Sequence, residues 1–226
     1  MTNDNVPLRE AKRLATRAAI DDHATRLVLE HGFDAVTVED ICSAAGISRR
    51  TFFNYVDSKE TAVIGEQPRP LTEEEVTDFV SDRHPDLFHA VMRCAFRMSN
   101  LFRPCAGDLA TPSTVDTGEL LRRRRRICRA EPRLSLQRTA RYPDIHDSLI
   151  DTVTSYLRAW PAERRLPEAT PRAEAMTVVA VSTTAIRLGF HLWMEGSDPT
   201  ADNLRTRCTD ALEDMTRLLT KEVENA

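Results

Sequence analysis

Proline placement constrains this chain more than any other feature. None of the 12 prolines falls between Pro7 and Pro68 or between Pro171 and Pro199. A proline inside a helix removes a backbone hydrogen bond and clashes with the preceding turn. Glycine is equally sparse, with 7 in 226 residues and no Gly-x-Gly arrangement. Stretches free of both favour helices over a strand-and-turn fold. The missing glycine patterns also exclude dinucleotide fingerprints, phosphate-cradling loops and nucleophile elbows. With no strand alternation and no internal repeat, the expectation is an all-α fold of one to two domains.

The apolar spacing divides the helices into two groups. Ile20, Ala24, Leu27 and Val28 form one stripe of a helix over 8–31, closed by Gly32. Thr37 caps a second helix with Asp40 three residues on, and the expected buried residues are Val38, Ile41 and Ala45. Ser48 caps a third helix, and a fourth begins near Asp57 and Ser58. The stretch GEQPRPLTEEE reads as a boundary, so the expected division is a helix-turn-helix domain over 1–66 and a helical-bundle domain over 67–226. In the second part helices are expected over 85–103, 116–130, 133–141, 145–160, 172–195 and 200–224, with proline-containing joints. The 172–195 helix is apolar on more than one side, and the 200–224 helix carries a seam of Leu204, Cys208, Ala211, Met215, Leu218 and Leu219. A helix that is apolar all round must be covered by its own core or by a partner chain. These two helices packed against their symmetry mates predict a four-helix homodimer interface.

The run VEDICSAAGISRRTFFNYV, residues 38–56, meets the demands of a helix-turn-helix. Cys42 is small where the helices approach, Gly46 can take positive φ in the turn, and Ile41, Ala45, Ile47 and Phe52 lock the crossing. A generic helical hairpin would satisfy the same pattern. Against it, the second helix offers Ser48, Arg49, Arg50, Thr51 and Asn54, side chains of the types that read base edges and grip phosphates in a major groove.

The stretch beginning at Gly32, GFDAVTVEDICSAAGISRRTFFNYVDSKE, resembles the N-terminal signature of the TetR family of transcriptional regulators. The resemblance covers about the first quarter of the chain. It implies a homodimer, a palindromic double-stranded DNA operator, and a C-terminal pocket in which a small-molecule effector changes the separation of two recognition helices. It also implies phosphate contacts for Thr37 and Lys59, and a DNA-reading set of Ser48, Arg49, Arg50, Thr51, Phe53, Asn54 and Tyr55. Phe53 stands where the family usually has Tyr, Tyr55 where His is frequent, Val56 where Phe is usual, and Cys42 where Ala is usual.

Net charge is −4, from 31 Lys and Arg against 35 Asp and Glu, which taken alone argues against nucleic acid. Locally the sign differs. Arg9, Lys12, Arg13 and Arg17 outweigh Asp4 and Glu10 in residues 1–17, and Arg49, Arg50 and Lys59 outweigh Asp57 in residues 48–59, each a net +2. DNA binding through so narrow a basic face is expected to depend on salt. Five scattered cysteines (Cys42, Cys94, Cys105, Cys128, Cys208) without a Cys-x-x-Cys pair fit reduced thiols. The polar N-terminus and the lack of an apolar run near ~20 residues predict a cytoplasmic chain with no membrane partner.

Several features invite further readings. Arg122 to Arg126 form a five-arginine run, which predicts a helix surface with ion pairs and a domain-interface contact, or alternatively recognition of an anionic ligand. His84, His89 and Cys94 are spaced five apart, which rotates them around a helix, and neither they nor His191 with Glu195 are expected to hold a metal. Pocket lining is expected from Met92, Phe96, Leu101, Tyr156, Trp160, Thr183, Arg187, Phe190 and Trp193. The expected function is that of a ligand-responsive, dimeric DNA-binding repressor with no cofactor and no enzymatic activity. The alternatives are a helical interaction protein whose helix-turn-helix docks a protein, and an enzyme built in the C-terminal bundle.

Overall fold

The computed structural model describes residues 8–99, 117–196 and 200–223. Among the described residues the backbone forms α-helices joined by turns, with one short 3-10 turn at Pro161–Glu163 and no strand, so the fold is all-α. The residues fall into two compact units, each assembled from segments distant in sequence. One holds 8–67 and 117–140; the other holds 68–99, 141–196 and 200–223. This division differs from a single cut after residue 66, because the arginine-rich helix and its successor gather with the N-terminal helices.

In the first unit, α1 (Leu8–His31), α2 (Val38–Ala45), α3 (Arg49–Phe53) and α4 (Lys59–Ile64) are joined by α7 (Thr117–Ala130) and α8 (Pro132–Thr139). Ile20, Ala24 and Val28 of α1 are buried with Phe33, Val36, Ile41, Cys42, Phe52 and Val56, and Ile127 and Leu134 complete this core from α7 and α8. Val38 and Ala45 are half-buried rather than buried, and Cys42 takes the inner position. Val56 is a core residue despite its smaller size than the Phe usual there.

The second unit holds α5 (Glu73–Ser81), α6 (Leu87–Met98), α9 (Tyr142–Ala159), α10 (Pro171–Glu195) and α11 (Ala201–Val223). Helix α10 packs against α6, α9 and α11. By length and composition alone, α10 is apolar enough to cross a membrane, contrary to the expectation that no such run exists; its apolarity serves these three neighbours. Its buried stripe is Ala175, Val178, Val179, Ser182, Ala185, Gly189 and Trp193, while Met176, Leu188 and Leu192 are exposed. A Cβ on Gly189 would lie 2.5 Å from the Cα of Cys208, so the α10–α11 crossing admits only glycine without a shift. Burial pushes the Cys208 thiol up to about 12.

Three helix starts depart from expectation for one reason. Pro132, Pro143 and Pro171 sit in the first turns of α8, α9 and α10, where a missing backbone donor costs nothing. Hence α9 begins at Tyr142 rather than 145. Helix α5 lies where a boundary was expected. Thr72 accepts from the Glu75 backbone and Glu75 accepts from the Thr72 backbone, a reciprocal capping box. Glu75 also accepts from Arg69 at 2.7 and 2.8 Å; this pairing, with the backbone bond and despite partial burial, holds its carboxyl down at about 2.

Candidate nucleic-acid interface

The helix-turn-helix is built from caps. Thr37 accepts from the Asp40 amide at 3.1 Å, and the Asp40 carboxylate accepts from the Thr37 amide at 2.8 Å and hydroxyl at 2.6 Å. These bonds hold the Asp40 carboxyl below its usual value. Gly46 then takes φ 65°, ψ 35°, the left-handed conformation that the turn requires and other residues resist. Ser48 starts α3, its hydroxyl accepting from the Thr51 amide at 3.0 Å. Buried Cys42 has its thiol raised by desolvation and by Glu39, which keeps it protonated and unreactive.

On α3 the side chains of Arg49, Arg50, Phe53 and Asn54 are exposed, while Thr51 and Tyr55 are half-buried. Phe52 points inward and is fully buried. Phe53, 46% exposed, packs edge-on against Phe52, and the Arg49 guanidinium lies 6.0 Å from its ring centre. Arg49 also pairs with Glu39 of α2 at 2.6 Å. Both partners are solvent-exposed, so this pair is worth at most ~1 kcal/mol.

Two cations of the expected basic face are turned elsewhere. Lys59 donates from Nζ to the carbonyls of Phe33 and Val36, both at 2.7 Å, and lies 4.0 Å from the centre of the Phe33 ring. It fastens the turn between α1 and α2, leaving one of three ammonium donors for a phosphate. Arg17 faces inward to Asp21, Glu66 and the Tyr55 carbonyl, so the N-terminal basic face rests on Arg9, Lys12 and Arg13. The spacing held no sign of either role, because both depend on which loop carbonyls the fold brings near.

The helix-turn-helix matches the family model for bacterial regulatory proteins of the tetR family over residues 20–61. Residues 20–61 thus form a helix-turn-helix domain of the tetR type. A protein of Mycobacterium tuberculosis named as a candidate mycofactocin biosynthesis transcriptional regulator, MftR, is 46% identical over 55 residues. That match covers 24% of this chain and spans 28% of the relative's length. The solved structure of Salmonella enterica GusR aligns over 97% of this chain and all of its own at 17% identity, with a TM-score of 0.40.

The described residues among those expected to line a pocket lie in the second unit. Met92, Tyr156 and Trp193 are buried, Phe96, Trp160, Thr183 and Phe190 are half-buried, and Arg187 is exposed on α10. Leu101 lies outside the described residues. Four of the polar groups are engaged by the protein itself. The Tyr156 hydroxyl accepts from the His84 amide, Trp160 donates to the Val80 carbonyl, and Trp193 donates to the Thr200 carbonyl. Thr183 likewise donates to the Val179 carbonyl one turn back. His191 and Glu195 form an exposed pair at 3.2 Å.

Proposed function

We propose that this chain is a DNA-binding transcriptional regulator that acts as a homodimeric, effector-responsive repressor in the cytoplasm. The observation that carries the reading is α3: a helix capped by Ser48, set by the Gly46 turn, presenting Arg49, Arg50, Phe53 and Asn54 to solvent. Guanidinium groups and Asn suit bidentate bonds to guanine and adenine edges, and an exposed phenyl ring suits a thymine methyl. Thr37, Ser48, Thr51, Tyr55 and the remaining donor of Lys59 are assigned to the flanking phosphates. In functional terms residues 1–66 read DNA and residues 67–226 hold the effector and the dimer contacts.

The dimer assignment is supported by α10, whose Leu188 and Leu192 are 38% and 40% exposed and flank a helix otherwise used for core packing. A second copy covering α10 and α11 removes that apolar surface from water and doubles the narrow basic face. Effector binding then favours a conformation whose recognition helices mismatch the two half-sites of a palindromic operator, and affinity falls by the differential binding energy.

Titration of duplex DNA from upstream of the chain's own gene, over a salt series, tests the reading. A sequence-specific shift whose affinity falls steeply with salt is expected, with Arg50→Ala losing ~1–3 kcal/mol. A shift indifferent to sequence and salt, or none, favours a helix-turn-helix that docks a protein.

A further inference from the structure

The arginine run of α7 is only partly a surface. Arg124 is buried, with Nη2 3.1 Å from Oδ2 of Asp21. Its Nε donates to the Val63 carbonyl of α4 at 3.3 Å. The other oxygen of Asp21 accepts from Nε of Arg17 at 3.2 Å. Arg17 in turn donates from Nη1 to the Tyr55 carbonyl at 2.8 Å and to Glu66 at 3.1 Å. A continuous path of charged groups thus runs from α7, through α1, to the carbonyl two residues beyond the end of α3.

That end point matters because α3 has five residues, too few to persist unaided. The Tyr55 carbonyl lies just past the C-terminus of α3, so Arg17 fixes the chain as it leaves the helix, and a cation near that end is favourable to the helix dipole. Ser48 holds one end of α3; Arg17 holds the other. Burying Arg124 and Asp21 and half-burying Arg17 and Glu66 adds little net stability, since desolvation offsets the attraction. Its yield is directional: Arg17 donates to Asp21 and to the Tyr55 carbonyl, and Arg124 donates from Nε to the Val63 carbonyl while its charge pairs with Asp21.

We propose that Arg124 is a positioning residue for DNA reading, holding the C-terminal end of the recognition helix at Tyr55 through Asp21 and Arg17. The proposal rests on α3 being the helix that reads DNA. The test uses the full-length chain. Wild-type protein selects a duplex from a randomised library, and that duplex is titrated over a KCl series with R124M, R124K, D21N, R17M and the R124M/R17M pair, with R50A as a surface control. Amide hydrogen exchange at residues 54–56 and urea midpoints are read in parallel.

R124M is expected to weaken binding about tenfold, R17M at least as much, and the pair no more than R17M alone, since members of one network are not additive. The slope of log K against log[KCl] stays at its wild-type value in these variants, because none of them removes a phosphate contact, whereas R50A relaxes base preference at one position. R124K keeps the charge but loses the planar group that donates from Nε to the Val63 carbonyl, and so fails to restore affinity. Exchange at 54–56 quickens in R124M and R17M. Where R124M does not fold, R124K and D21N carry the same expected loss. Wild-type affinity in R124M, additive losses in the pair, or unchanged exchange at 54–56 overturns the proposal. A wild-type chain that selects no duplex overturns the DNA reading itself, and exchange at 54–56 still decides whether Arg124 holds that segment.

Discussion

At the scale of single residues, Lys59 combines an observed packing role with the phosphate contact proposed for it. Its ammonium bonds two carbonyls and faces a buried aromatic ring, and hydrogen bonds to a charged group are worth about 1.5–3 kcal/mol. Lys59→Met is expected to lower unfolding free energy by about 2 kcal/mol and to weaken DNA binding. A residue serving phosphate alone would leave the urea midpoint where it was. Glu75 makes a prediction about pH. Its folded-state value of about 2 lies below the ordinary 4.5, so its contribution is complete above ~4.5 and disappears as pH falls toward 2. Between pH 5 and pH 3 the wild-type urea midpoint should fall more steeply than that of Glu75→Gln; parallel curves would show that the Arg69 pair contributes nothing.

At the scale of elements, Gly189 sets the α10–α11 crossing. Helix propensity alone predicts that Gly189→Ala stabilises the chain by about 1 kcal/mol. The close approach predicts the reverse, because the new methyl meets backbone atoms of Arg207 and Cys208 that no rotamer can move. Overpacking of this kind costs about 1–3 kcal/mol, so denaturant unfolding decides between the two by sign. The spacing of apolar residues marked α10 and α11 as long helices but not the glycine contact between them, which depends on where the two axes cross. The limits of α1, α2 and α3 were legible in Gly32, Thr37, Gly46 and Ser48, since caps act through atoms a few residues away. Helix α5 had an equally local signal in Thr72 and Glu75, obscured by the prolines beside it.

At the scale of the whole molecule, the exposed apolar face of α10 predicts the oligomeric state. Leu188→Glu with Leu192→Glu is expected to shift the chain from dimer to monomer in sedimentation velocity and to weaken operator binding by at least tenfold. The underlying reason is that two half-sites are then no longer bound by one particle. Retained dimerisation at micromolar concentration would assign the interface elsewhere. The net charge of −4 says little about DNA at this scale, because binding depends on the sign of one face rather than on the total.

Local chemistry was within reach of the sequence alone. Sparse proline and glycine, cap residues and 3–4 apolar spacing determined an all-helical chain and a helix-turn-helix over 38–56, whose residues carry the resemblance to TetR regulators. Those signals depend on atoms within one or two turns of each other. The tertiary structure decided the destinations of the charges: Arg124 and Asp21 are 103 positions apart, Arg17 and Tyr55 are 38 apart, and Lys59 reaches back to Phe33. It also decided that α7 and α8 join α1 to α4 in one compact unit. No periodicity encodes such pairings, because a buried ion finds its partner only after the core has packed.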